Sequence, residues 1–239
     1  MSLHLKRLAS PRVWSGTVPR KAYTWAPKTR PGPHAADRSI PMALILRDYL
    51  KVADTLREAK RVLGAREVLV DGKVVTDHKR GVGFMDVISL PKTEKHYRVM
   101  LDTRGRLVLT EIPAAAAAWK LCRVENKTTV AGGKFQLNLH DGRNIVVKEA
   151  AHKTGDVLKV HLPDQKVMGA LPLAAGHTVL ITGGKHIGQT ATVGGVEKTR
   201  NPRPNVVSVK SGDVAYATIK PYVFVIGKDK AEVALPEVA

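Results

Sequence analysis

The sequence predicts an α+β, β-rich chain of several domains. Three observations lead there. Residues 55–75 read as a short basic helix running directly into a tight hairpin. After Pro113, short runs of β-branched residues alternate with glycine-rich turns. Residues 1–41 carry many prolines and cations but no sustained periodicity. At 239 residues and 44% hydrophobic composition, the chain can bury more than one small core.

The first element is the segment 1–41. Lys6, Arg7, Arg12, Arg20, Lys21, Lys28, Arg30 and Arg38 face a single acid, Asp37, and six prolines interrupt the stretch. Such a segment cannot bury enough apolar surface to fold alone. It nonetheless holds Trp14, Tyr23 and Trp25. Cations interleaved with aromatics suit an extended arm that orders on RNA, stacking on bases. A flexible solubilising leader is the alternative.

Globular patterning begins at Met42. Leu44, Ile45, Leu46, Tyr49 and Leu50 suggest a first helix. A second begins at Thr55, whose S/T-x-x-E spacing to Glu58 is that of a capping box, each side chain satisfying a backbone N–H at the helix start. Leu56, Ala59 and Leu63 make an apolar stripe, while Arg57, Lys60 and Arg61 share the other side. Gly64 stops the helix. Asp71-Gly72 lies between two valine-rich runs, the sequence expected of a two-residue hairpin turn. Residues 81–90 read as a turn into a strand, and residues 97–101 and 106–110 as a second hairpin. The alanine run 114–118 fits one helical turn or a linker.

Strands are expected at 135–139, 144–147 and 157–162, then at 177–181, 189–193, 206–209 and 222–226. The last four, set between glycine turns, have the pattern of a small barrel. Residues 228–239 form a short tail.

Net charge narrows the function. The formal charge is +18, and self-repulsion of that size is relieved most simply by a polyanion. No apolar run approaches the roughly 18 residues of a spanning helix, so no membrane partner is expected. Cys122 is alone, which removes a disulfide framework. Without an apolar leader the expected compartment is cytosolic.

Several stretches together carry a family resemblance. Residues 42–110 resemble the alpha-L RNA-binding motif, and GHTVLITGGKHIGQTATV at 176–193 resembles a KOW motif of small SH3-like barrels. GFMDVISL (83–90), KLCRV (120–124) and NLHDGRNI (138–145) are similar to signature stretches of the archaeal and eukaryotic, e-type small-subunit ribosomal protein four family. The resemblance spans about residues 1–227 and implies five parts. These are a basic arm (1–41), an alpha-L RNA-binding domain (42–110), a central β module (111–172), a KOW/SH3-like barrel (173–227) and a tail (228–239). It implies a non-catalytic ribosomal constituent, cytoplasmic on the ribosome, whose partners are small-subunit rRNA and neighbouring ribosomal proteins. No cofactor, metal or small-molecule substrate is expected.

Carried onto this chain, the RNA-facing residues would be Arg47, Arg57, Lys60, Arg61 and Arg66, with Lys73 at the hairpin tip and Lys79 and Arg80 in the next loop. Lys185 and His186 would serve the KOW loop, where glycines let backbone approach a phosphate. From the arm come Lys6, Arg7, Arg12, Trp14, Arg20, Lys21, Tyr23 and Trp25. An ordinary solvated cation is the alternative for each charged position.

Other motifs lead nowhere. Residues 185–189 look like part of the HIGH signature of aminoacyl-tRNA synthetases, but in the wrong structural context. No G-x-x-x-x-G-K-[ST] loop exists. The nine histidines are scattered without an H-x-x-x-H pair or cysteine partners, against a zinc site. Two competing functions remain: an accessory module of an RNA-modifying enzyme, and a KOW-type transcription factor.

Overall fold

The structure is a computed structural model and describes residues 4–14, 18–149, 151–212 and 214–236. The ends of the expected arm and tail, residues 1–3 and 237–239, lie outside it. The chain divides into two compact units, Met1–Met100 with Arg106–Ala118, and Leu101–Gly105 with Trp119–Ala239.

The first unit opens with β1 (Leu5–Lys6), paired antiparallel to β2 (Trp25–Ala26), and continues through β3 (Ser39–Pro41). Helix α1 (Met42–Leu44) passes into a π-helical turn over Ile45–Tyr49, and α2 spans Leu56–Gly64. Then come β4 (Leu69–Val70), β5 (Lys73–Val74), β6 (Gly81–Gly83), β7 (Val87–Leu90), β8 (Lys95–Leu101) and β9 (Leu107–Ile112), closed by α3 (Ala114–Ala117). Strands β5-β4-β7-β8-β9 form one sheet, and β3 pairs with β6 beside it. Residues 42–46 are wholly buried, together with Ala59, Leu63, Val68, Val70, Val87, Ile88 and Val99, so the two helices seat an apolar face on the sheet.

Residues 4–14 and 18–41 differ from the extended arm expected of them. Trp14, Val18 and Ile40 are buried, and β3 is hydrogen-bonded to β6. The segment lacks a core of its own but lends apolar side chains to one already formed, which its proline content does not prevent. Arg30 N–H donates to the Lys79 carbonyl at 2.9 Å, fastening the middle of the segment as well.

The second unit holds two five-stranded antiparallel sheets. The first is built from β10 (Trp119–Val130), β11 (Lys134–Leu139), β12 (Asn144–Val147), β13 (Val157–His161) and β14 (Val167–Leu171), in the order β12-β11-β10-β13-β14. Cys122, Val124, Leu137, Leu139, Leu158 and Val160 form its core. The second contains β15 (Thr178–Ile181), β16 (Thr190–Glu197), β17 (Val206–Ser211), β18 (Val214–Ile219) and β19 (Val223–Gly227), ordered β18-β17-β16-β15-β19. Arg123 of β10 donates from Nη1 to the carbonyls of Pro221 (2.6 Å) and Val223 (3.0 Å), joining the two sheets through buried polar contacts.

The strands β10, β14 and β18 are longer than, or absent from, the sequence expectation. Their exposed stretches mix polar and apolar residues without a clean alternation, as at Asn126 and Thr128 in β10 and at Val167, Met168 and Ala170 in β14. Cross-strand pairing rather than local apolar alternation holds them in the sheet. Among the described residues no helix is long and apolar enough to cross a membrane.

Candidate nucleic-acid interface

Helix α2 is fixed at its start by the expected capping box. Glu58 N–H donates to Thr55 Oγ1 at 3.2 Å, while Glu58 Oε2 accepts from the backbone N–H groups of Asp54 (2.9 Å) and Thr55 (3.3 Å). The Asp54 and Thr55 hydrogen bonds hold the Glu58 carboxyl below its ordinary pKa, with a smaller contribution from Arg61. With Ala59 and Leu63 buried, Arg57, Lys60 and Arg61 are left exposed on the opposite side. None of the three has a salt-bridge partner among the described residues.

The hairpin after α2 presents the next cation. Asp71 and Gly72 both take positive φ (52° and 74°), the geometry of the two-residue turn their sequence predicts, and Lys73 stands exposed beside them. Asp71 is also structural, its Oδ1 accepting from Val87 N–H at 3.0 Å. Arg66, at the end of α2, is exposed with φ of 60°.

A second group of cations gathers where the N-terminal segment meets the loop after β5. Arg30 Nη1 bonds Asp77 Oδ2 at 2.8 Å, and Asp77 Oδ1 accepts the Lys79 N–H at 2.9 Å. His78 is held below its ordinary pKa first by burial, then by the Lys60 cation, with Lys79 and Arg30 adding to it. Lys60, Lys79 and Arg30 are thus each close enough to His78 for it to feel their charge. A cleft of about 630 Å³ opens here between Lys28, Arg30, His34 and Lys79. Arg80 is half-buried, its Nε closed off without a hydrogen-bond partner. The nearness of Arg30 to this loop was not visible in sequence, because 47 residues separate it from its Asp77 partner.

The other N-terminal candidates separate into two classes. Lys6, Arg12, Arg20 and Lys21 are exposed, as are Tyr23 (64%) and Trp25 (57%). Arg7 and Trp14 are not. Trp14 is only 6% exposed, donates from Nε1 to the Ser39 carbonyl at 2.9 Å and bridges Leu107, so its ring belongs to the core and offers no stacking face. Arg7 is closed to solvent beneath Tyr23. Arg47 is half-buried and makes a two-pronged pair with Asp48, Nη2–Oδ2 at 2.8 Å and Nε–Oδ1 at 3.2 Å.

In the second unit, Lys185 is exposed and His186 stacks on Tyr216, ring centroids 4.0 Å apart and 19° from parallel. The loop is tightly built. A Cβ on Gly183 would lie 2.7 Å from the Tyr222 ring, and Gly184 takes φ of 86°.

One cluster superficially resembles a metal centre. Cys122, His140 and Asp141 place ligand atoms within 4.8 Å of one another, a grouping hidden in sequence because strand pairing creates it. Asp141 Oδ2 is already engaged by Lys120 Nζ at 2.6 Å, Arg143 Nε at 3.1 Å and the Cys122 thiol at 3.6 Å. Burial raises the Asp141 pKa, but the neighbouring Lys120, His140 and Arg143 outweigh it and leave the carboxyl below its ordinary value. Two cations beside one carboxylate oxygen make an ion-pair centre and repel a metal ion.

Comparison with known proteins supplies the family. Residues 93–167 match the Ribosomal family S4e, residues 1–37 the RS4NT (NUC023) domain and residues 45–88 the S4 domain. The small ribosomal subunit protein eS4 of Methanothermobacter thermautotrophicus is 45% identical over 234 residues, covering 98% of this chain and 96% of that one. Its counterpart in Methanococcus vannielii is 43% identical, covering 97% of each. The crystal structure of the 30S ribosomal protein S4e from Thermoplasma acidophilum matches with a TM-score of 0.70 at 38% identity, over 80% of this chain and 96% of that chain. A β-rich chain with an S4 domain, at least 43% identical to these two eS4 proteins over nearly its whole length, belongs to the eS4 family of small ribosomal subunit proteins.

Proposed function

We propose that this chain is a structural, non-catalytic constituent of the small ribosomal subunit that binds rRNA and supports subunit assembly. Near-full-length identity to eS4 proteins is the observation that carries the reading. The exposed, salt-bridge-free Arg57, Lys60 and Arg61 on a capped helix supply its physical basis. Cations on a rigid backbone release counterions from a phosphate chain with no backbone ordering cost, leaving only that of their own side chains.

Residues 42–110 act as the RNA-docking module, with Arg57, Lys60, Arg61, Arg66 and Lys73 toward phosphates and Lys79 and Arg80 beside them. Residues 111–172 are the central β module and 173–227 an SH3-like barrel of KOW type, whose Lys185 and His186 approach backbone. Lys6, Arg12, Arg20, Lys21, Tyr23 and Trp25 extend the contact surface along the N-terminal segment. Shape and phosphate contacts dominate, since A-form RNA conceals its major groove. Neighbouring ribosomal proteins are the remaining partners.

Sedimentation of a cell extract tests this reading. The chain should travel with small subunits and leave them only at high salt. A predominantly free or polymerase-bound pool would contradict it.

A further inference from the structure

We propose that Arg7 and Arg47 form a phosphodiester-binding pair which Tyr23 covers in the free chain. The inference rests on the RNA-binding reading and assigns one contact within it. Arg7 is 1% exposed, and its Nε, Nη1 and Nη2 all lack a hydrogen-bond partner. Its nearest acid, Asp48, lies 3.7 Å away, beyond hydrogen-bond reach. That carboxylate is already committed to Arg47 through two bonds of 2.8 and 3.2 Å. A guanidinium presents five donors, and folding them away from water with no acceptor is costly. The cost is recovered when binding delivers the acceptor.

The cover is a single exposed side chain. The Tyr23 ring centroid lies 5.1 Å from the Arg7 guanidinium carbon and 5.6 Å from that of Arg47, so one ring faces both cations. Tyr23 is 64% exposed while Arg7 is closed, which puts the ring on the solvent side. Rotation of that ring opens the pair without disturbing the core. Backbone pairing of Arg7 N–H with the Thr24 carbonyl at 3.0 Å keeps cation and cover in register.

Charge and surroundings select the ligand. Two guanidiniums against Asp48 leave one positive charge, matching the single negative charge of a phosphodiester, and the planar fork suits two phosphate oxygens. Lys6 is paired across β1–β2 with the exposed Trp25, so a nucleotide chain leaving the pair meets another cation and another open ring. Displaced from the cations, Tyr23 offers its own face to a base. An acidic peptide would use the cations but leave both rings idle.

The test uses the full-length chain and a small-subunit rRNA transcript. Arg7→Met removes a cation that makes no hydrogen bond from its side chain. Its melting temperature should equal or exceed that of the parent, while RNA affinity falls on the order of tenfold. The slope of log K against log salt should shrink by about 0.7–0.9, one phosphate's share. Arg7→Lys keeps the charge and loses the fork, so the slope should be retained and affinity should fall less. A lower melting temperature for Arg7→Met would assign Arg7 a folding role and overturn the proposal. So would unchanged affinity and slope in a preparation where reversing Arg57, Lys60 and Arg61 still weakens binding; that outcome leaves the RNA-binding reading intact. If the parent chain itself ignores the transcript, the broader reading fails with it.

Discussion

Lys120 Nζ lies 2.6 Å from Asp141 Oδ2, and both side chains are closed to solvent. The pair sits at the base of β10, where Asp141 also accepts from Arg143 Nε at 3.1 Å and from Arg143 N–H at 3.2 Å. One carboxylate thus organises two cations and the turn that follows β11.

Asp141→Asn should therefore destabilise the chain by about 3–5 kcal/mol, because it strips the buried Lys120 and the half-buried Arg143 of their countercharge. Lys120→Met should cost less, since Asp141 keeps Arg143. Urea unfolding of the two variants compares them directly.

The same pair gives a pH dependence with a definite sign. The folded Asp141 pKa is lowered, so its stabilising contribution is full above the unfolded value of about 4 and is lost as pH falls through the folded value. Stability measured between pH 6 and 2 should drop below about pH 4. Asp141→Asn should flatten that part of the curve.

Trp14 and Trp25 lie in one segment and should behave oppositely. Trp14→Ala empties a core site and should cost about 3–5 kcal/mol of stability. Trp25→Ala removes an exposed ring, so stability should change by less than about 0.5 kcal/mol. RNA affinity should fall by about 1–3 kcal/mol if that ring stacks on a base. Thermal melts paired with RNA titrations separate the two.

Thr55→Ala deletes the cap of α2 and should cost about 1 kcal/mol. Hydrogen exchange should show the loss at the Glu58 amide first, since that N–H donates to Thr55 Oγ1.

What was legible in the sequence follows the range of the interactions. The capping box and the Asp71-Gly72 turn join residues three and one apart, so local rules reach them. Resemblance carried the family, because its signature stretches are contiguous. Burial within the N-terminal segment was not legible. Trp14 and Trp25 share a similar basic, proline-rich setting, and distant partners, the Ser39 carbonyl 25 residues away and Leu107, mark Trp14 as core. The Arg30–Asp77 pair was hidden for the same reason, as was the Lys120–Asp141 pair, which exists only once β10 and β11 align. The full length of β10 was obscured by its polar outer half, Asn126–Thr129, which pairs with β11 alone.

The central claim is that the cations of α2 meet small-subunit rRNA. Its most direct measurement is the salt dependence of binding by the full chain, compared with a variant carrying Arg57→Glu, Lys60→Glu and Arg61→Glu. Log K for the parent should fall linearly with log salt, by about 0.7–0.9 per neutralised phosphate. The variant should bind more weakly with a shallower slope and melt at nearly the same temperature, since exposed charges contribute little to folding. Equal affinity and equal slope for the two proteins would contradict the assignment.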